Sequence, residues 1–361
     1  MKKLFTLLAL TISFSMNAQL TAVSEGGNTG QRLSTSNASN HGDIGSNAVD
    51  LSYSSSSSST RGATGNSSTA MGYNTTASGG RSTAMGSQTT ASGNYSTASG
   101  NWSTASADYS TAMGSGTTAS GDIATAMGSQ TTASGNYSTA MGINTTASGN
   151  WSTASGNWST ASADYSTAMG SATTASGAIA TAMGSQTTAS DYASVVIGQY
   201  NSSGSSATSA ASFSTSNTAF VIGNGTNSSN KSDAFKVMFN GDTTVSNDLT
   251  VSGDVVISSD ARLKSNIVSL GSTLPKLLQI DGKSYEMKGK QKIGVLAQEI
   301  KEVFPELVSE DDNEMLAVNY QGLVPVLINA LKEQDEKMKE QEKKINRLEK
   351  ILLKLTESYE D

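Results

Sequence analysis

Alanine recurs at every seventh position through the middle of this chain. The series runs unbroken from Ala63 to Ala189, nineteen alanines in one register, and Val196 takes the next place. A coiled coil shares this period, but almost every heptad here contains a glycine, which costs roughly 1 kcal/mol in a helix, and there is no second apolar position. The next residue tends to alternate, as in Met71 and Ser78, so the true unit is fourteen residues. Two short strands and two turns of this length predict one coil of a β-solenoid.

Longer duplications support this unit. GSQTTASGNYST recurs after 42 residues and NWSTASADYSTAMGS after 56, and both shifts are multiples of fourteen. The chain has therefore lengthened by whole coils, and we expect nine or ten of them stacked between residues 63 and 198.

The strand period of two divides the residues of each coil between two faces. In STAMG it places Ser68, Ala70 and Gly72 on one face and Thr69 and Met71 on the other. A narrow coil admits only the small residues inside, so the face with the larger side chains points outward and is available to a partner. Because a lone thin solenoid buries too little surface to offset chain entropy, we expect several chains to associate, most simply as a symmetric homotrimer.

Aromatic residues mark the turns of the repeat, and two interpretations are open for them. The favoured one is packing over the coil edge, and the alternative is ligand stacking. These residues are Tyr95, Trp102, Tyr109, Tyr137, Trp151, Trp158 and Tyr165.

Charge is distributed unevenly: 35 of the 53 charged residues lie after residue 258. The net charge of −7 provides no basic patch for nucleic acid, so we expect no such partner. Met1 to Ala18 has the pattern of a signal peptide, and no later segment is apolar enough to span a membrane. We therefore predict a secreted or cell-surface protein without membrane insertion. The chain has no cysteine, and we expect no metal site and no cofactor.

The segment before the repeat is rich in serine, glycine and asparagine. Residues 19–62, including the run Ser54 to Ser59, have the composition of a flexible or weakly ordered lead-in. His41 is the only histidine of the chain. We interpret it as an ordinary residue of this lead-in, which makes a histidine-based catalytic site very unfavourable.

After the repeat the pattern changes to short strands. AFVIGNG, AFKVMFNGDTTV and DLTVSGDVVI lie between Thr218 and Ile257, separated by turn pairs such as Asn240-Gly241. Their spacing predicts a β-rich fibre stem over residues 199–258. The chain then becomes charged at SDARLK, where a hydroxyl and an amine five residues apart suggest a chain that cuts itself.

The C-terminal segment has heptad spacing in a sequence that favours helix. Apolar residues occupy every seventh place from Val324, and Leu327 begins a second series three residues on. This predicts a coiled coil over about 323–356, and we favour three strands because the head also favours a trimer. A helix packed on its own domain is the alternative for Val324 to Leu331. The predicted trimer core is Leu331, Met338, Ile345, Leu348, Leu352 and Leu355.

The chain resembles known families in two places. From about Ala63 to Gly198 the repeat resembles the head of YadA-like trimeric adhesins, with its small-residue A-x-G motif at the same spacing. The last hundred residues resemble the intramolecular chaperone domain of endosialidases and tail fibres, a self-cleaving peptidase family. Four pieces in order carry this second resemblance: SDARLKSNI, the strand with Tyr285, IGVLAQEIKEVFPELV and VNYQGLVPVLINALKE. The strands before them look like the β-rich neck of such fibres.

The second resemblance implies roles for individual residues. Ser259 would be the nucleophile, Lys264 the general base, and the bond between Ser258 and Ser259 the one cut. Serine–lysine pairs are a variant of triad catalysis, and burial can lower a lysine pKa enough to supply a neutral amine. Asp260 and Arg262 would orient the loop. The alternative is that SDARLK is only a strand-to-helix junction with an exposed lysine.

Together these observations predict a mainly β protein: a trimeric β-solenoid head, a β-rich stem, and a small α+β domain ending in a three-stranded coiled coil. The predicted segments are 1–18, 19–62, 63–198, 199–258 and 259–361. We expect a secreted fibre or adhesin whose last domain drives trimerisation and then releases itself. A surface module that is never cleaved is the alternative, and an ice- or crystal-binding solenoid a third. The head's ligand, a surface or a glycan, is not identified by the sequence.

Overall fold

The computed structural model describes residues 20–311 and 314–357. The chain forms two compact units, one ending at Ser252 and the other beginning at Gly253. The predicted signal peptide, Met1 to Ala18, lies outside the described residues.

The first unit is a β-solenoid in which two sheets run along the coils, one of 16 strands and one of 10. The longer sheet takes one strand from each coil and ends in hairpin strands: β1 Leu20–Glu25, β2 Asn28–Leu33, β3 Val49–Tyr53, β5 Thr69–Tyr73, β7 Thr83–Ser87, β9 Thr97–Asn101, β11 Thr111–Ser115, β13 Thr125–Ser129, β15 Thr139–Ile143, β17 Thr153–Asn157, β19 Thr167–Ser171, β21 Thr181–Ser185, β23 Val195–Gln199, β24 Thr218–Asn224, β25 Asp233–Met238 and β26 Thr243–Val245. The shorter sheet consists of β4 Gly62–Ala63, β6 Thr76–Ala77, β8 Thr90–Ala91, β10 Thr104–Ala105, β12 Thr118–Ala119, β14 Thr132–Ala133, β16 Thr146–Ala147, β18 Thr160–Ala161, β20 Thr174–Ala175 and β22 Thr188–Ala189.

The alanine repeat is the core of this solenoid, as the sequence predicted. Neighbouring coils pair in parallel with a shift of fourteen residues, so Ala70 lies opposite Ala84 in the long sheet and Ala63 opposite Ala77 in the short one. All nineteen alanines of the register are at most 1% exposed. Each alanine is enclosed by its own coil and by the neighbouring coils, which favours small residues; Val196 and Val221 take the same place in the last two coils and are also buried.

Glycine is required where one coil turns over the next. Gly72 has φ +112°, a region that L side chains rarely adopt, and a Cβ there would fall on the carbonyl oxygen of Gly86. The A-x-G pattern of the repeat thus combines a buried alanine with a backbone position that only glycine can occupy.

The predicted lead-in is an ordered part of the solenoid, so the prediction that it is flexible or weakly ordered was wrong. β1 and β2 form an antiparallel pair, β2 joins β3 in parallel, and β3 joins β5. Asp50 pairs with Ala70 at a distance of twenty residues rather than fourteen. The insertion carries the run Ser54 to Ser59, and it hides the first coil from a search for the fourteen-residue period.

A buried ionic cluster closes the alanine core at this end. Asp50 is fully buried, and its Oδ2 lies 3.3 Å from Arg32 Nε and 3.1 Å from His41 Nδ1, while Ser52 Oγ donates to Oδ1 at 2.6 Å. Arg32 also pairs with Glu25 at 2.7 Å. Burial raises the pKa of Asp50, but the hydrogen bonds from His41 and Ser52 outweigh it and hold that pKa below its usual value. The interpretation of His41 as an ordinary lead-in residue was therefore wrong.

The solenoid has twelve coils rather than the nine or ten expected, because β3 and β24 each supply one more. β24 continues the parallel register, with Val221 opposite Val196, and β25 and β26 follow as antiparallel strands. Two of the three strands predicted for the stem are thus present. The third, DLTVSGDVVI, forms no strand, and Leu249 and Val256 within it are exposed.

The second unit is a small α+β domain with a long C-terminal helix. It contains helices α1 Leu274–Leu277, α2 Ala297–Val303 and α3 Leu323–Glu357, and two hairpins, β27 Lys283–Met287 with β28 Lys290–Gly294 and β29 Val308–Glu310 with β30 Leu316–Val318. Its core is small: Ile300, Phe304 and Val326 are buried, with partly buried neighbours such as Leu277 and Val318 around them.

Helix α3 has two apolar faces with different environments. Val326 and Ala330 are buried and face the domain, whereas Val324 and Leu331 are exposed. The packed-helix alternative therefore describes one face of the first turns, and the heptad face remains in solvent. The predicted trimer core residues are between 52% and 71% exposed in the single chain: Leu331, Met338, Ile345, Leu348, Leu352 and Leu355.

Candidate functional site

The loop that carries SDARLK is shaped by its acidic residue. Asp260 caps a short 3-10 turn, Ala261–Leu263, by accepting a hydrogen bond from the backbone N–H of Arg262 at 2.8 Å. The Arg262 guanidinium donates to the same carboxylate at 2.7 and 3.0 Å. These bonds hold the pKa of Asp260 below its usual value. These bonds join Asp260 and Arg262 across the 3-10 turn that precedes Lys264.

The same turn brings the predicted nucleophile and base together. Lys264 follows the turn, and its backbone N–H donates to the Ala261 carbonyl at 3.1 Å. Its Nζ donates to Ser259 Oγ at 2.7 Å. A hydroxyl within hydrogen-bond reach of an amine is the contact that serine–lysine catalysis requires.

Both members of the pair are exposed to solvent in the single chain. A lysine accepts a proton only when its amine is neutral, and removal from water is what favours the neutral amine. In the single chain, Lys264 and Ser259 are therefore in contact, but the pair is not shielded from water.

Exposed apolar residues lie on both sides of the pair. Val255 and Val256 precede it and are 61% and 88% exposed, and Ile267 and Val268 follow it and are 67% and 83% exposed. An apolar stretch of this kind in solvent is typical of a surface that another chain covers.

A distant carboxylate holds the chain after the site. Glu333 of α3 accepts hydrogen bonds from Ser272 Oγ at 2.7 Å, from the backbone N–H of Thr273, and from that of Leu274 at 3.3 Å. The Ser272 hydroxyl and the backbone amides hold the pKa of Glu333 below its usual value. The sequence analysis missed this residue, because its partners lie some sixty positions away and no local motif joins them.

The aromatic residues of the head divide into two groups. Tyr95 stacks on Tyr109 at 4.8 Å, and Trp151 stacks between Tyr137 and Tyr165 at 5.2 and 5.0 Å. Packing over the coil edge therefore describes these five rings. Trp102 and Trp158 stack on no other ring among the described residues.

Within the described residues, no helix is both long and apolar enough to cross a membrane.

Two family models match the chain, and a search of curated proteins gave no match. The YadA head domain repeat matches six stretches, of which the third to fifth overlap: 63–89, 91–117, 119–145, 142–161, 147–173 and 175–201. The chaperone of endosialidase matches residues 259–309, beginning at the predicted nucleophile and ending before α3. The chain is therefore similar to YadA head repeats over its middle and to the chaperone of endosialidase after residue 258.

Proposed function

We propose that this protein is a secreted or surface-held trimeric rod whose C-terminal unit assembles the chains and then releases itself by cutting the bond between Ser258 and Ser259. The observation that carries the cleavage is the 2.7 Å contact between Lys264 Nζ and Ser259 Oγ. It lies at the first residues of the chaperone match. Asp260 and Arg262 fix the turn that makes this contact.

The C-terminal helix is the element best suited to begin assembly. Its heptad row, from Leu331 to Leu355, is exposed in the single chain and can be buried only by other helices. In a rod formed from several chains, distant segments must come together and lose conformational entropy before stabilising contacts can form. This makes folding of the rod slow. Joining the helices first raises the local concentration of the three heads and removes most of that barrier.

The head then offers its outward sheet face to the neighbouring chains. Met71, Met85 and Met113 lie in one column of the long sheet and are half-buried or exposed. Methionine adapts its shape to irregular gaps, so this column can pack against its copies without strict complementarity.

Cleavage would follow in two steps, the formation of an ester and its hydrolysis. Neutral Lys264 takes the proton of the Ser259 hydroxyl, and Oγ attacks the carbonyl carbon of Ser258. The bond to the Ser259 nitrogen breaks as that nitrogen takes the proton from Lys264, leaving an ester between the Ser258 carbonyl and Ser259 Oγ. Water then hydrolyses the ester, giving a carboxylate at Ser258 and restoring the Ser259 hydroxyl behind a free amine.

Exposure of the pair makes assembly the condition for cutting. Neighbouring chains that cover Val256 and Ile267 would also exclude water from Lys264, and the amine would then become a base. The released rod could not unfold by the route that it took, so it would be held kinetically. The same exposure favours the second candidate, in which the C-terminal unit stays attached as a permanent trimerisation module.

Intact mass of the purified secreted chain tests the proposal. We expect two fragments that break before Ser259 in the parent, and whole chains in the Ser259→Ala and Lys264→Ala variants. Ser258→Ala is the matched control, because it alters the adjacent hydroxyl and should still be cut. An uncut parent of trimeric mass would establish the permanent module and refute self-cleavage.

A further inference from the structure

Two tryptophans of the head differ from every other ring at its turns. Trp102 and Trp158 are 60% and 63% exposed, more than any ring of the stacked set. They lie in one column along the same edge of the solenoid, because β9 and β17, which they follow, belong to one parallel sheet in continuous register. Each ring therefore presents an indole to solvent at an equivalent place.

The next coil leaves one face of each indole uncovered. In the stacked column another aromatic ring follows fourteen residues later, whereas here that place is taken by Gly116 after Trp102 and by Ala172 after Trp158. A glycine or an alanine cannot cover a ring of this size. Amide side chains lie one coil before and two coils after each indole: Gln88 and Gln130 for the first, Asn144 and Gln186 for the second.

Local stability does not explain a tryptophan at these turns. Both residues have φ 59°, a left-handed conformation that is rare and costly for bulky side chains. Asn74 and Asn144 occupy the same turn with φ 52°, and asparagine is one of the residues that accept it readily. Tyr95 and Trp151 have φ 58° and 54°, so this cost belongs to the turn, but those rings are stacked on a neighbour. The two tryptophans carry the same cost without such a neighbour and remain 60% and 63% exposed, which is a pattern typical of functional positions.

The turns that hold the indoles are firmly anchored. The serine after each is fully buried: Ser103 Oγ donates to the Gly114 carbonyl at 2.9 Å, and Ser159 Oγ donates to the Gly170 carbonyl at 3.1 Å. Between residues 75 and 187 the other coils have a threonine at this place, and Asn201 takes it after Tyr200. A ring held on a fixed turn loses little freedom on binding, which favours affinity.

We propose that Trp102 and Trp158 are two stacking platforms for a glycan with β-1,4-linked, equatorially substituted pyranose units. Such a sugar has a flat face of axial C–H groups that fits an indole face, and its equatorial hydroxyls lie at the rim, where the flanking amides can bond them. This inference rests on the proposed function of the head as a surface-binding rod and names the chemistry of its ligand.

The two platforms are four coils apart, which at about 4.8 Å per coil is roughly 19 Å along the edge. The open face of each is the one that the next coil does not cover, so each platform takes a separate sugar unit. A glycan that reaches both platforms then gains from the raised effective concentration at the second.

Titration with cellohexaose and chitohexaose, followed by tryptophan fluorescence and calorimetry, tests the proposal on the full chain. We expect saturable binding by the parent, at least a tenfold loss in a Trp102→Asn/Trp158→Asn variant, and a smaller loss in each single variant. Asparagine already occupies this turn in other coils, so the double variant should fold. Trp151→Tyr is the matched control, since it alters a stacked ring and should bind as the parent does.

Native mass and the cleavage pattern, measured on the same samples, separate this proposal from the proposed function. A trimeric, normally processed parent that binds neither sugar, or a double variant that binds as well as the parent, would refute the platforms alone. A double variant that loses its trimeric mass would show that the indoles contact a second copy of the chain, which also refutes them as sugar sites.

Discussion

The head encloses its core within one chain, whereas the C-terminal unit leaves its longest apolar row in solvent. In the head, nineteen alanines are at most 1% exposed, and each is covered by the coils before and after it. In the C-terminal unit only four apolar side chains are buried among the described residues, while α3 exposes a heptad row along most of its 35 residues. One unit is covered by its own repetition, and the other leaves its heptad row open to a partner.

This difference indicates a division of labour in folding. The alanine columns gain stability coil by coil, from near neighbours, as in other repeat proteins. They contain little to select one partner chain over another. The heptad row of α3 has the opposite character, since it gains almost nothing alone and its spacing defines both register and strand number.

The largest effect should come from breaking the association of α3. A Leu348→Glu/Leu352→Glu variant places charges in two adjacent layers, where each leucine would contribute about 1.5–3 kcal/mol when buried. We expect a monomeric, uncleaved chain in light scattering and intact mass. Lys343→Glu/Lys350→Glu introduces the same residue on the outer face of the helix and should remain trimeric. If the Leu348→Glu/Leu352→Glu variant were also trimeric, the head alone would hold the chains together.

A smaller and more local effect should follow from opening the buried cluster of the first coil. Arg32→Met leaves Asp50 buried without its guanidinium, and the loss of one member of a buried ion pair costs about 3–5 kcal/mol. Because coils are stabilised by their neighbours, we expect faster amide hydrogen exchange over residues 20–63 and little change near residue 140. Arg81→Met removes an exposed arginine as the control. Uniform loss of protection along the head would contradict this one-dimensional behaviour.

An intermediate loss of stability is expected from filling the alanine column. Ala126 is fully buried between Ala112 and Ala140, so an added pair of methyl groups must push against the residues that enclose it. Ala126→Val should lower the free energy of unfolding by about 1–3 kcal/mol. Thr125→Val puts the same residue on the outward side of the same strand and should change it by less. Equal costs at the two positions would mean that the column is looser than its burial indicates.

The repeat could be predicted from the sequence because its physics is local. A small residue at every seventh place, with glycine two positions later, defines the coil, its register and its inner face. The first coil was missed because six additional residues shift Asp50 out of the period. The strand predicted at DLTVSGDVVI is absent because apolar alternation favours a strand only where a neighbour can pair with it.

The candidate cleavage site shows the same limit. Spacing alone placed Ser259 near Lys264, and the 3-10 turn capped by Asp260 supplies the contact. The clamp by Glu333 joins positions sixty apart, and no sequence pattern in one chain announces such a pair. The open faces of Trp102 and Trp158 depend on what stands one coil away, which becomes visible only when the coils are stacked.

The smallest expected effect is the response of amide protection to acid, which can be compared between the C-terminal unit and the head. Glu333 has a folded pKa below its ordinary value of 4.5, so its contribution is present above about pH 4.5 and is lost as the pH falls through the folded pKa. Because Glu333 is only half-buried and its partners are Ser272, Thr273 and Leu274, the loss should be confined to the clamped segment. We expect protection of the Thr273 amide, corrected for intrinsic exchange, to fall severalfold between pH 6 and pH 3.

A neutral acceptor bonds more weakly than a carboxylate, so Glu333→Gln should show the lower protection of Thr273 at both pH values, whereas Glu342→Gln on the same helix should behave as the parent does. Asp50 also has a lowered pKa, but it is buried against three partners, Arg32, His41 and Ser52, and acid should release the whole first coil there rather than one short segment. The contrary result would be that acid lowers amide protection in the first coil no more than at Thr273. Burial of Asp50 would then add no stability beyond that of the Glu333 hydrogen bonds. The contrast between a self-enclosed head and an open C-terminal unit would in that case not extend to their charged residues.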